Sequence, residues 1–519
     1  MRWLVVHRFI HLTAALMLAP LAAGQDWERE DVTFEKIDAK AKELAAQGYS
    51  APNPDALPDW IKNLSYDQYR DIRFNPDRAL WGGEKLPFRA MLFHPGYLFR
   101  EPVAINEFTN THQQRIRLAE AFFNYGPLIS QRGDLPPETG FAGFRLHAPL
   151  NKPDYFDELA VFQGASYWRA LGRNQRYGIS ARGIAVDTGI DGKEEFPAFR
   201  EFWLRKPTPD DKAAMLFALL DGPSYTGAYG FFIQPGDDTV MTVRVVLYAR
   251  RAVTRLGLAP MSSMFWFGEN SRRRFDDFRP EVHDSDGLAI KMNSGERIWR
   301  PITNDTGRLE FSFFSMDKCE GFGLLQRDRR FAAYEDGEAA YDKRPSLWIE
   351  PTSDWGSGKV MLMEIPTHNE LSDNTVAMWE PSHIPQAGER IEFSYKQHWT
   401  MSEDPSHAGG RVVATRTGLH DWQPEQRTVA VEFAGGPLEK WEGEAPQAMV
   451  TAVGESAAKV KIQGVAVQPL PEGRWRAAFQ ITPAAGGGKL ADVGPLELRC
   501  SLKKGEDFLT ETWAYRIIP

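Results

Sequence analysis

From about residue 85 onward the chain is a succession of short runs in which apolar or aromatic side chains alternate with polar ones, each run closed by Gly, Pro, Asp or Asn. Thr239 to Leu247, Met361 to Ile365, Arg390 to Tyr395 and Thr428 to Phe433 all read this way. Alternation with a period of two puts successive side chains on opposite faces of a strand, and the closing residues favour turns. The pattern predicts an all-β body built largely of antiparallel strands. Helix signals are confined to the start. Thr33 can cap a segment with Phe34, Ile37, Ala41, Leu44 and Ala45 on one face, closed by Gly48, and Ser65 can cap a short helix through Tyr69.

A chain of 519 residues exceeds one ordinary core, so two or more domains are expected. Met401 to Gly410 is polar and rich in breakers and reads as a linker. The residues from Arg411 to the end suit one small β-sandwich. No internal repeat of fixed period is present, and Gly486 to Gly488 reads as a loop.

The first residues read as a secretory signal peptide spanning 1–24. Arg2 and Arg8 supply positive charge, Phe9 to Leu21 is mostly apolar, and Ala22-Ala-Gly24 offers small residues for cleavage before Gln25. His11, Thr13 and Pro20 interrupt the apolar run, which falls short of the roughly 20 residues of a membrane span. The formal net charge is -9, and loss of Arg2 and Arg8 makes it more negative, which excludes nucleic acid as an expected partner. Cys319 and Cys500 are the only cysteines. They are too few for a disulfide scaffold and read as separate small buried groups.

Two acidic segments stand out, Arg279-Pro-Glu-Val-His-Asp-Ser-Asp-Gly-Leu288 and Glu364-Ile-Pro-Thr-His-Asn-Glu-Leu-Ser-Asp-Asn374. Paired carboxyl groups in an exported, aromatic-rich chain suggest glycosidic bond chemistry, with one acid protonating the leaving oxygen and the other activating water or attacking directly. Asp284 and Asp373 are the candidates. The same Asp-Ser-Asp-Gly run is also a good turn, because Asp and Ser bond nearby amides and Gly accepts positive φ. Asp286 is expected to order that turn. His283, Asp284 and Asp286 lack the remaining ligands of a calcium loop and no His-Glu-x-x-His occurs, so no metal and no cofactor is expected. With 16 Trp, 15 Tyr and 32 Phe, the chain has ample flat faces for sugar rings. Tyr167, Trp168, Arg169, Arg173 and Tyr177 are the substrate-binding candidates, because consecutive bulky residues of a period-two strand cannot all face one core. An amphipathic edge strand is the plainer reading of them.

Gly164-Ala-Ser-Tyr-Trp-Arg-Ala-Leu-Gly-Arg-Asn-Gln-Arg-Tyr-Gly-Ile-Ser-Ala-Arg-Gly183 resembles a signature of the osmoregulated periplasmic glucan biosynthesis proteins, the OpgG/OpgD family. Phe93-His-Pro-Gly-Tyr97, Phe267-Gly-Glu-Asn270, Gly321-Phe-Gly-Leu-Leu-Gln326, Lys343-Arg-Pro-Ser-Leu-Trp348 and Glu511-Thr-Trp-Ala-Tyr515 agree with it. Val412-Val-Ala-Thr-Arg-Thr-Gly418 and the Asp-Ser-Asp-Gly form look more like the OpgD branch. The resemblance implies a large β-supersandwich similar to galactose mutarotase-like enzymes over 25–400, a linker at 401–410, and an immunoglobulin-like β-sandwich over 411–519. It implies periplasmic export, and the separated Arg2 and Arg8 favour the general secretory route over the twin-arginine route used by many relatives. It also implies activity on linear β-1,2-glucan of the kind grouped as glycoside hydrolase family 186. Asp373 matches the general acid, delivering its proton through a substrate hydroxyl, and Asp284 the base, acting through a water relay. Tyr341 and Glu370 lie near the site by motif, as support to the chemistry or as structure. The rival reading is a non-catalytic glucan-binding subunit serving an inner-membrane glucan synthase; a homodimer stays open. One departure is visible: Leu419 to Gln426 is short where hydrolytic relatives carry a longer loop over the site, which puts simple hydrolysis in doubt and favours glycosyl transfer.

Overall fold

The computed structural model describes residues 27–53, 57–130, 132–271, 276–304, 307–402, 407–420, 423–484 and 488–518. The expected signal peptide lies outside them. Among the described residues no helix is long and apolar enough to cross a membrane.

The runs read as strands are strands. Thr239–Ala249 pairs antiparallel with Tyr225–Gln234 on one side and Arg390–Thr400 on the other, and Gly358–Glu364 pairs with Thr375–Pro381. The architecture is all-β with few helices, as expected. Two sheets dominate, one of ten strands and one of fifteen. Their inner faces share a single apolar core. Trp168 of the ten-stranded sheet meets Phe231 of the other at 5.2 Å between ring centroids, and its indole N–H donates to Gln397 Oε1 at 2.8 Å. The helix Phe34–Ala46, capped by Thr33, covers the outer face of the larger sheet, where Phe34 packs on Phe217. The helix Tyr66–Arg70 carries a full capping box between Ser65 and Gln68.

Residues after 410 build a four-stranded sheet from Arg411–His420, Gln423–Ala434, Arg474–Pro483 and Val460–Leu470. The remaining strands there, Gln447–Val453, Leu496–Lys504, Asp507–Phe508 and Thr512–Ile517, join the fifteen-stranded sheet, because Thr512 and Trp513 pair in parallel with Ile298 and Trp299. Trp299, Leu325 and Trp348 enter the same apolar cluster as Phe479 and Trp513. The two portions of the chain are thus welded by sheet and core; a boundary at 401–410 stands as a proposal. Within that stretch Gly410 is held by Leu509 and Glu511 through backbone hydrogen bonds.

Within Leu419 to Gln426, read as a loop, Leu419 and His420 end one strand and Gln423 to Gln426 begin the next. His420 stands opposite Gln423, while residues 421–422 lie outside the described residues. Cys319 and Cys500 are free and buried.

Candidate active site

At one end of the ten-stranded sheet, Ser262 pairs with Ser180 and Ser263 with Thr375. Both acidic segments meet there. Asp373 precedes Thr375 on the loop that joins Gly358–Glu364 to Thr375–Pro381, and Asp284 follows the two-residue strand Val282–His283, which pairs with Phe265–Phe267.

The segment Ser263-Met264-Phe265 splints the two together. Met264 O accepts the Asp284 N–H at 2.8 Å and Ser263 O accepts the Asn374 N–H at 3.0 Å. The Asn374 side chain accepts from Phe265 N at 2.7 Å and donates to Phe265 O and Ile365 O at 3.0 and 2.9 Å. The hydroxyls of Ser263 and Ser285 are hydrogen-bonded at 2.8 Å. Every polar atom of the Asn374 amide group is therefore used to hold the acid beside it in place.

The two carboxyl groups sit in different surroundings. Asp373 is one-third exposed and lines a cleft of about 660 Å³. Its Oδ2 accepts from Ser180 Oγ at 3.3 Å and faces Arg169 Nη2 at 3.8 Å. Asp284 is only 3% exposed and does not line that cleft; its Oδ1 is paired with Arg344 at 2.5 Å. Burial pushes the Asp284 carboxyl above its ordinary value, the Arg344 charge opposes that, and the Asp373 charge adds to the rise. The guanidinium of Arg344 lies over the Tyr341 ring at 4.2 Å. A Cβ on Gly178 would fall 2.9 Å from two Arg344 side-chain carbons, so glycine at 178 makes room for this cation.

Tyr341 donates its hydroxyl to Glu370 Oε2 at 2.5 Å, and burial first, then this bond, pushes the phenol up. Glu370 also accepts from Arg279 at 2.7 Å, and Arg279 is held in turn by Asp277 and Asp336. These contacts anchor the Asp373 loop from the side opposite Asn374. Glu364, the first acid of that segment, is buried and bound to Arg300 and Thr303.

Asp286 does not order its own turn by its side chain. Its Oδ2 accepts the amides of Arg327 at 2.9 Å and Asp328 at 3.3 Å, and burial raises its carboxyl to about 6. Arg327 runs from there to Glu511 at 2.5 and 3.0 Å, tying this turn to the C-terminal strands. His283 is buried between Glu281 at 2.8 Å and Gln326 at 2.7 Å. Desolvation alone would lower its pKa; the hydrogen bond and charge of Glu281 outweigh it and hold the imidazole at about 9. His283, Asp284 and Asp286 thus point to three separate partners rather than to one point.

The substrate candidates divide by the period of two. In the strand Tyr167–Ala170, Tyr167 and Arg169 turn to the cleft. Trp168 is a core residue, stacked on Phe162, although it also forms part of the cleft wall. Tyr177 lines the cleft. Arg173 lies away from it, paired with Asp237 at 2.7 Å. Sequence reasoning missed the splint at Ser263 to Phe265, and it quoted Arg344 without assigning it a role. The splint acts chiefly through main-chain groups, which leave no mark in a sequence.

The family model of the periplasmic glucan biosynthesis protein MdoG matches residues 32–517. Glucans biosynthesis protein G of Rhodopseudomonas palustris strain BisA53 is 44% identical over 92% of this chain and 91% of its own. The protein of the same name from Bradyrhizobium diazoefficiens strain USDA 110 is 41% identical over 98% of both chains, and that of Dickeya dadantii strain 3937 is 39% identical over 98% and 96%. These relatives bear the G name, whereas the motifs resembled the D branch. Among solved structures, the GH36 α-galactosidase AgaA of Geobacillus stearothermophilus is similar over 50% of this chain and 39% of that one, with 8% identity and a TM-score of 0.26. That likeness is too slight to bear on fold or chemistry.

Proposed function

The chain belongs to the periplasmic glucan biosynthesis protein family of MdoG, and from that premise we propose that it is a periplasmic enzyme acting on linear β-1,2-glucan, as hydrolase or transglycosylase. One observation carries the reading: two carboxyl groups in unlike surroundings are pinned to one three-residue splint, and one of them faces a cleft. In this reading Asp373, protonated, supplies the proton for the departing glycosidic oxygen through a hydroxyl of the bound glucan, and Arg169 stabilises the carboxylate left behind. Asp284 takes the proton of the incoming water or sugar hydroxyl through a relay, since it does not itself line the cleft.

The burial of Asp284 in its pair with Arg344 favours a second reading, a glucan-holding subunit that guides the polymer from a membrane synthase without cutting it. Incubation of the exported form with linear β-1,2-glucan, with products followed by size and NMR, decides between them. Shortened, transferred or cyclised chains that vanish with Asp373→Asn support the enzyme. Glucan bound but unchanged leaves the subunit.

A further inference from the structure

The cleft that holds Asp373 does not end near it. A second cavity, of about 280 Å³, continues from it past Leu98 toward Arg100 and Arg200. The two share Phe99, Gln163, Gly164, Tyr167 and Phe196 as common wall, so Phe196 stands at the seam. Phe196 is 53% exposed, so its ring is open to both cavities.

The ring has a built support. The Arg182 guanidinium lies 4.3 Å from the centroid of Phe196 and 5.7 Å from that of Tyr167. Arg182 is itself only 4% exposed and is held by Glu194 Oε1 at 3.1 Å and Glu195 O at 2.6 Å. Thr188 Oγ1 donates to the same Glu194 oxygen at 2.9 Å, which fixes the carboxylate under the cation. A cation held against an aromatic face immobilises the ring. A fixed, solvent-facing ring suits the apolar face of a pyranose, with polar groups around it for the hydroxyls.

Resting on the glucan reading above, we propose that Phe196, backed by Arg182 and beside Tyr167, is a stacking platform for a glucosyl unit distant from the reacting bond, on an arm of the cleft that runs from Asp373 toward Leu98 and Arg200. The arm makes binding depend on chain length: short oligosaccharides stay near Asp373, and longer ones reach the ring.

The test is binding, independent of turnover. Linear β-1,2-glucans of several lengths are titrated calorimetrically into Asp373→Asn protein with Phe196 intact, with Phe196→Ala, and with Phe196→Trp. A single aromatic contact of about 0.5–1.5 kcal/mol corresponds to roughly 2- to 13-fold in affinity. Phe196→Ala is expected to weaken long chains by that factor and leave short ones unchanged, and Phe196→Trp to restore or tighten long-chain binding. Equal binding of every length by the intact protein and Phe196→Ala overturns the platform alone. Absence of β-1,2-glucan binding by the intact protein overturns the functional reading and the platform together.

Discussion

Replacing Arg344 by Met keeps an unbranched apolar side chain beside Tyr341 and removes the charge facing Asp284. Asp284 is 4% exposed in its side chain and Arg344 19%, so the carboxylate left behind is buried without its cation. Breaking a buried pair from one side costs about 3–5 kcal/mol. The same loss appears as a further rise in the Asp284 pKa, because the charged form is the one left without its partner. The sign follows from linkage. The folded-state pKa already lies above the unfolded value, so the group favours folding at low pH and loses that contribution as pH rises through the folded pKa. Removing Arg344 lifts the folded pKa further, so the deficit is smaller near pH 4 and larger at pH 8. A unit of roughly 500 residues has an unfolding entropy of about 1 kcal/mol/K, which turns the deficit into a Tm loss of roughly 3–5 °C at pH 8. Calorimetric scans of the native sequence, Arg344→Met, and Arg344→Met with Asp284→Asn at both pH values make the assay. The double variant carries no buried charge and regains most of the loss. A Tm deficit of equal size at pH 4 and pH 8, unrelieved by Asp284→Asn, refutes the electrostatic argument and leaves Arg344 as packing.

Asp373→Asn is expected to fold normally and lose at least about a hundredfold in rate on β-1,2-glucan, since general acid catalysis contributes about 10² to 10⁴; near-normal turnover removes Asp373 from the reaction. Asp286→Asn puts an amide against the backbone N–H groups of Arg327 and Asp328 and should cost about 1–3 kcal/mol in stability, read as Tm, with rate constants holding up better than in Asp284→Asn. The raised pKa of His283 gives stability that is full below its unfolded value of 6.5 and fades as pH climbs through about 9; Glu281→Gln should flatten that part of the Tm-against-pH curve, and an unchanged curve denies the ion pair. The tight hairpin at His420 and Gln423 is expected to favour transfer between or within glucan chains over release of reducing sugars. Reducing ends that rise in step with bonds cleaved, with no cyclic or rearranged product, sink that expectation.

The all-β body was legible because its signal is local. Alternation and turn residues act over a handful of positions, and Thr33 and Ser65 announce their helices by capping chemistry alone. What escaped was long-range. The parallel pairing of Ile298 and Trp299 with Thr512 and Trp513 joins segments far apart in sequence, so a chain that looked divisible at 401–410 shares one sheet across that point. Within Leu419 to Gln426, Pro424 looks like a loop residue yet lies in the strand Gln423–Ala434.

At the site, the residues that carry charge were visible and their environment was not. Period two separates Tyr167 and Arg169 from Trp168, but only the second sheet, arriving with Phe231 and Gln397, shows which face is the core. Asp284 and Asp373 look alike in sequence, two acids in turns. The difference between them comes from what lies over each: Arg344, admitted by Gly178, closes on one, and open cleft faces the other. The splint explains why such a pair can be exact in space without an obvious motif. Ser263 and Met264 fix the acid carriers through carbonyl oxygens, and Phe265 through both of its main-chain groups. Any residue offers those groups, so the constraint falls on the partner side chain able to bind them, and Asn374 is the one residue of the arrangement whose identity the geometry demands.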